Sequence, residues 1–524
     1  MAGTLPKAFY VEASQPKRAQ NSQVGTSWLP AELLSSVFLY IVKSGLPRTG
    51  HAYFDPGTFN FLQVCRRWNS VAIAFPRLWV WWVAGAAEAW PLFNARSKGA
   101  PLSLMWRREL PESARDILTD TGVLRRICQL DFYDTRARLE HLVGSTNSTS
   151  TSAISSIRII IIDWGKNEKQ LTRFLSSPFP KLSKLHIRNI LPDSSSSIFT
   201  TSNLTSLKIS LPYNGERRHT RSQLSQLLQQ HPNLEKLVLE EGGLPPVEGP
   251  GTLVPVILPR LVDLRLYGLE AVVVGFLDLV SMSSPLHSVI IRLKFAYAPR
   301  PQALVGTAEK ILSPYYECQG LEYPRGVERL TVSTSLKGGL EFCAGSRSTP
   351  VPYPISNLNL QFCSHGMEKE LIRRVVPLFP LKDVLEFTAV GLSFSTDDWR
   401  WIFRDMENLL HLRLDQVYLW SVFEVLRFAT KPQSLSFHNL DICSGLALKL
   451  LDILERRFNS HNGLESLVVE SCRVPGGAYE AGLRELVKDV TWSNVTEVGS
   501  EPYELPVAVG QFQRHRRASP WLYE

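Results

Sequence analysis

Leu182-Ser-Lys-Leu185-His-Ile187, Leu204-Thr-Ser-Leu207-Lys-Ile209 and Leu234-Glu-Lys-Leu237-Val-Leu239 share one spacing. Two leucines stand three apart and a third apolar residue follows at alternate spacing. The pattern returns in Leu261-Val-Asp-Leu264-Arg-Leu266, Leu409-Leu-His-Leu412-Arg-Leu414 and Leu464-Glu-Ser-Leu467-Val-Val469, with weaker copies near Leu102, Ile127, Ile157, Leu286, Leu330, Leu358, Val384 and Leu435. An alternating pair puts both side chains on one face of a short strand, while the leucine three earlier packs as the chain turns into it. Between copies lie helix-like stretches, as at Gln223 to Gln230, Leu371 to Val376, Trp399 to Met406 and Leu446 to Phe458. Phe179-Pro-Lys-Leu182, His231-Pro-Asn-Leu234 and Leu258-Pro-Arg-Leu261 place a proline where a helix must end and the chain extend. One copy alone reads as an ordinary amphipathic segment; several in the same order predict a stacked α/β repeat array. The section from Tyr297 to Tyr353, interrupted by prolines, reads as an irregular insertion.

Composition supports a folded chain. At 524 residues it exceeds one ordinary core, and its 44% hydrophobic and 20% charged content is that of a globular protein. The net charge of +8 is thin over this length. The short basic clusters at Arg217-Arg218-His219 and Arg514-His515-Arg516-Arg517 lack interleaved aromatics, so no nucleic-acid partner is expected. The seven cysteines are scattered and never spaced C-x-x-C, the usage of a reducing compartment. The apolar window Leu78 to Ala87 is about half a membrane span. A cytoplasmic or nuclear location without membrane insertion is expected.

No catalytic or metal-binding spacing occurs, so neither enzymatic activity nor a cofactor is expected. Asp397-Asp398 precedes a helical run and reads as a helix start rather than an acid–base pair. His186, His411 and His438 fall inside strand-like segments and read as structural. Glu240-Glu241 reads as a solvated turn.

A different periodicity occupies the first hundred residues. Residues 1–26 lack it and are expected to be disordered. From Trp28, the apolar residues Leu29, Leu33, Val37 and Ile41 recur every four residues, with Leu34 and Phe38 beside them, forming a wide helical face. Pro30 suits the first turn and Glu32 complements its dipole. Gly- and Pro-rich Lys43 to Thr58 reads as a loop, and a second helix is expected from about Phe59 to Ala74, stopped by Pro76. Trp79, Trp81 and Trp82 read as a core plug rather than a ligand cage.

The order Leu29-Pro30-x-Glu32-Leu33-Leu34, Val37, Phe38, Ile41, then Val64-Cys65-Arg66-x-Trp68 and Leu78-Trp79 resembles the F-box. It departs from that pattern in its long Lys43–Thr58 link. The following Trp90 … Arg96-Ser97-Lys98-Gly99 … Pro101-Leu102 is similar to a segment after the F-box in a large group of mushroom-forming fungal proteins that carry degenerate leucine-rich repeats; Lys98 stands where their glycine is expected. The resemblance implies a three-helix F-box module at 27–82, a connector at 83–105, an irregular leucine-rich-repeat solenoid at 106–500 and a tail at 501–524. It also implies a substrate receptor of a Skp–cullin–F-box ubiquitin ligase, whose module enters the Skp adaptor's groove and whose repeats hold a target. Leu29, Pro30, Leu33, Leu34, Val37, Phe38, Val64 and Trp79 are then the expected adaptor contacts, with Cys65 and Trp68 in the module's own core. A repeat scaffold not coupled to a cullin is the alternative.

Overall fold

In a computed structural model of the chain, the described residues run from 29 to 498, apart from 46–55, 84–88, 107–119, 134–152, 161–173, 212–217, 246–254, 282–287, 295–305, 313–328, 335–339, 346–356 and 364–367, with short breaks at 191, 201, 310–311, 429–431, 461 and 476–478. The expected N-terminal disorder, the C-terminal tail with Arg514–Arg517, and most of the Lys43–Thr58 link lie outside them. The chain is mixed α/β and divides into two units, Met1–Leu286 and His287–Glu524.

In the first unit the strands β1 (Trp81–Val83), β2 (Leu102–Trp106), β3 (Ile127–Tyr133), β4 (Ser156–Ile160), β5 (Lys184–Arg188), β6 (Ser206–Leu211), β7 (Lys236–Glu241) and β8 (Asp263–Leu269) each pair in parallel with the next. The leucine pattern explains this register. Leu185 and Ile187 align with Leu207 and Ile209, which align with Leu237 and Leu239, so the buried side chains stack in two rows. The leucines three residues earlier, Leu182, Leu204 and Leu234, have no solvent exposure. Each repeat therefore buries three apolar side chains against its neighbours, a nearest-neighbour core.

The second unit opens differently. It contains β9 (Ser288–Lys294), β10 (Arg329–Thr334), β11 (Leu340–Gly345) and β12 (Asn357–Cys363), laid side by side as β9-β12-β11-β10. The β10–β11 and β11–β12 pairs are antiparallel, so a hairpin strand lies within the section read from sequence as an irregular insertion. Parallel order resumes from β10 to β13 (Glu386–Val390), then β14 (His411–Asp415), β15 (Ser434–His438), β16 (Ser466–Glu470) and β17 (Asp489–Ser493).

Several strands end in the same way. Asn189, Gln416, Asn439, Ser471 and Asn494 directly follow β5, β14, β15, β16 and β17, and their φ angles are 60°, 53°, 51°, 54° and 53°. Gly391 takes 65° after β13. This left-handed residue turns the chain out of the strand, and its N–H donates to a carbonyl at the end of the neighbouring strand: Asn189 to Ser210, Gly391 to Asp415, Gln416 to His438 and Asn439 to Glu470. Asparagine and glycine tolerate this region best, which accounts for their recurrence.

Among the described residues the α-helices of eight residues or more are α1 (Ala31–Gly45), α2 (Arg66–Ala74), α3 (Trp90–Ser97), α4 (Arg221–Gln229), α5 (Glu270–Leu277), α6 (Glu368–Val375), α7 (Thr396–Asp405), α8 (Leu419–Leu426), α9 (Ser444–Asn459) and α10 (Tyr479–Leu486). The four helix-like stretches between leucine copies correspond to α4, α6, α7 and α9. Asp398 has a structural role: it is 3% exposed and completes a capping box with Ser395, while Arg373 donates to it at 2.6 Å. These partners hold the Asp398 carboxyl below the ordinary carboxylate range against the cost of burial.

One expectation is corrected and two are refined. The segment expected as one helix from Phe59 to Ala74 is a 3-10 helix over Pro56–Gln63, a break at Val64-Cys65, and then α2. Residues 83–105, expected as a connector, carry α3 and most of β2, and the parallel pairing begins at Trp81. Glu240 and Glu241 end β7 and also open a turn, in which Gly243 N–H donates to the Glu240 carbonyl at 3.0 Å and Glu241 takes φ 53°; Glu240 is held rather than freely solvated, pairing with Lys208 at 2.6 Å, and its carboxyl lies below its ordinary range despite burial.

Candidate functional site

α1 carries apolar residues on two faces. Leu34, Phe38 and Val42, spaced by four, have no solvent exposure and form one wall of a small core. Phe61 stacks on Phe38 at 4.4 Å, and Trp68 tilts against the same ring at 5.2 Å. Leu33, Val37 and Tyr40 lie on another face and are 53%, 45% and 73% exposed. Their i, i+4, i+7 spacing aligns them along the helix.

The chain enters α1 through Pro30, whose carbonyl accepts the N–H of Leu34, and Glu32 lies in the first turn. Arg67 donates to the carbonyl of Leu29 at 2.6 Å, tying the start of α1 to α2. Cys65 caps α2: its Sγ accepts the N–H of Trp68 at 3.5 Å. A cap requires extended backbone, so the chain breaks at Cys65 and leaves Val64 beside it 51% exposed. Ile73, on α2, is 37% exposed.

Trp79 closes the module. It is 1% exposed, and its indole N–H donates to the carbonyl of Ala72 at 2.9 Å. Phe59 stacks on it at 5.4 Å, Phe93 of α3 meets it edge-on at 5.5 Å, and the Arg96 guanidinium sits 4.3 Å from its ring centroid. Phe93 thus makes α3 part of the same core. Trp82 is likewise buried and packs on Trp90 at 4.5 Å, consistent with a core plug. Behind α3, Lys98 adopts φ 47°, ψ 41°, and Gly99 follows at φ 78°. Lys98 thus occupies the left-handed position at a helix end that glycine fills without steric cost.

The eight residues expected to face an adaptor fall into two sets. Leu33, Val37, Val64 and Pro30 are exposed, and Leu29 is half-buried against the core. Leu34, Phe38 and Trp79 are corrected: their side chains are sealed inside the module, where helix pairing and indole hydrogen bonding consume them. Tyr40 and Ile73 were not anticipated. Tyr40 was accessible from the sequence, since it lies seven residues after Leu33 on the same helical face. Ile73 is read only once the break at Cys65 fixes the rotation of α2.

Among the described residues no group of three or more His, Cys, Asp or Glu side chains could hold a metal ion, and no helix is long and apolar enough to cross a membrane. No protein-family model matches the chain, and no curated protein matches it.

Proposed function

We propose that residues 29–79 form an F-box that docks a Skp-type adaptor, and that the strand-and-helix repeats hold a target protein for a cullin-based ubiquitin ligase. The observation that carries this reading is the exposed apolar row Leu33, Val37 and Tyr40 on a helix whose other face is fully packed. A short helical module does not leave such a row in water without cost, and burial in a partner's apolar groove would recover it. Val64, exposed by the cap at Cys65, adds to this surface. The left-handed strand ends and stacked leucines support a leucine-rich-repeat solenoid for the remainder. In this role the chain positions a target and supplies no chemical group to the transfer.

The test is co-purification of the Skp adaptor and cullin with the full chain carrying Leu33→Asp and Val37→Asp. Loss of the adaptor with unchanged circular dichroism is the expected result. Undiminished recovery of adaptor would refute the docking face, whereas adaptor without cullin would favour an uncoupled scaffold.

A further inference from the structure

In the first unit, the strand residues that alternate with the buried rows face outward, and their charges are unevenly distributed. Most have an acidic partner within the face: Arg158 pairs with Asp131, Lys208 with Glu240 at 2.6 Å, and Lys236 and Arg265 share Asp263. β5 is the exception. Its outward residues are Lys184, His186 and Arg188, and among the described residues Lys184 and Arg188 are exposed and have no acidic partner.

Parallel register places His186 at the centre of a cationic cross. Arg158 is its partner on β4 and Lys208 its partner on β6, while Lys184 and Arg188 stand two residues away on its own strand. Neighbouring strands lie ~4.8 Å apart and alternate residues ~6.6 Å apart, so these charges are well within a Debye length of one another. The imidazole Nε2 of His186 is shielded from solvent and has no hydrogen-bond partner. Burial, with Lys208, Arg158 and Arg188 as like charges, pushes the imidazole down to about 4, so at neutral pH it is uncharged. The cluster therefore presents unneutralised positive charge at Lys184 and Arg188 around an uncharged, largely buried imidazole.

In the second unit the described outward positions of β13 to β17 mix hydroxyls, as in the Ser434–Ser466 pair at 2.7 Å, with charges of both signs, among them Arg413, Asp415, Glu470 and Asp489.

We propose that the outward face of β4–β6, centred on His186, is a docking surface for an acidic peptide segment of a partner protein, with Lys184 and Arg188 as its principal charge contacts. Carboxylates complement the two exposed cations Lys184 and Arg188, which have no acidic partner among the described residues. This deepens the target-holding part of the proposed function and does not depend on the adaptor.

The experiment measures fluorescence anisotropy of a labelled octaglutamate peptide titrated with the full chain at low and physiological salt, alongside Lys184→Glu/Arg188→Glu, Lys184→Gln/Arg188→Gln and the control Arg400→Glu on exposed α7. The charge-reversed variant should bind about tenfold or more weakly, the neutral variant by a smaller factor, and the control as the parent. Wild-type binding should weaken with salt, as expected for exposed charges. Equal affinity in all four proteins would overturn the proposal, and so would tighter binding of a single-stranded oligonucleotide than of octaglutamate. Adaptor co-purification, run in parallel, separates the two readings: Leu33→Asp should lose adaptor and keep the peptide, and the β5 variants should do the reverse.

Discussion

Leu33 and Leu34 are adjacent, chemically identical and oppositely placed, so replacing each by alanine separates the module's stability from its surface. Leu34→Ala deletes three carbons from a side chain with no solvent exposure. At about 0.8 kcal/mol per buried carbon the transfer loss is about 2.4 kcal/mol, and the cavity left against Phe38, Phe61 and Trp79 raises the cost to about 3–5 kcal/mol. Leu33 is 53% exposed, so about half the transfer loss applies, partly offset by alanine's better helix propensity, and about 1 kcal/mol or less is expected. Hydrogen exchange of the α1 amides in the full chain reads the local opening free energy directly. Leu34→Ala should accelerate exchange by roughly two orders of magnitude or more, since 1.4 kcal/mol corresponds to a factor of ten, whereas Leu33→Ala should change it by less than about tenfold. Equal acceleration by both variants would refute the assignment of the two faces. Trp79→Ala should behave like Leu34→Ala, because the indole is a core hydrogen-bonded side chain, and its effect on adaptor recovery therefore cannot separate docking from folding.

Two further outcomes follow from local geometry. Lys98→Gly should stabilise the first unit by about 0.5–1 kcal/mol, because φ 47° suits glycine better than a residue with a Cβ; an unchanged or lowered unfolding midpoint would contradict it. His219 and His231, 4% and 1% exposed, flank α4 and are pushed by burial down to about 4. An unfolded histidine titrates near 6.5, so the unfolded chain binds more protons between these values, and stability is lost as pH falls from about 6.5 through about 4, by up to about 3 kcal/mol per residue. Denaturant midpoints measured across this range should fall less steeply in His231→Leu than in the parent, and an unchanged slope would count against a buried neutral imidazole.

The leucine spacing determined strand position and facing because the period of a strand is two: once Leu185 and Ile187 are inward, Lys184, His186 and Arg188 must be outward. The helix-like stretches and the helix-start role of Asp398 were legible for the same reason, since capping and periodicity are local. The hairpin strand β11 was not, because its segment carries no leucine triplet and lies in the Pro-interrupted section, although both antiparallel partners are its neighbours in sequence. The left-handed strand ends had a signal in the recurring Asn and Gly, but Gln416 and Ser471 hide it. At the N-terminus, periodicity made α1 apolar over a wide arc without saying which part was core. Only packing decided that: Phe61 and Trp68 close over Phe38, Phe93 reaches back to Trp79, and Leu33 and Val37 are left outside. Likewise the sequence placed cations on β5, but only the ladder register paired off their neighbours and left Lys184 and Arg188 without acidic partners among the described residues. Side-chain alternation is a property of a single strand, whereas charge balance across a sheet arises from several strands brought together by folding.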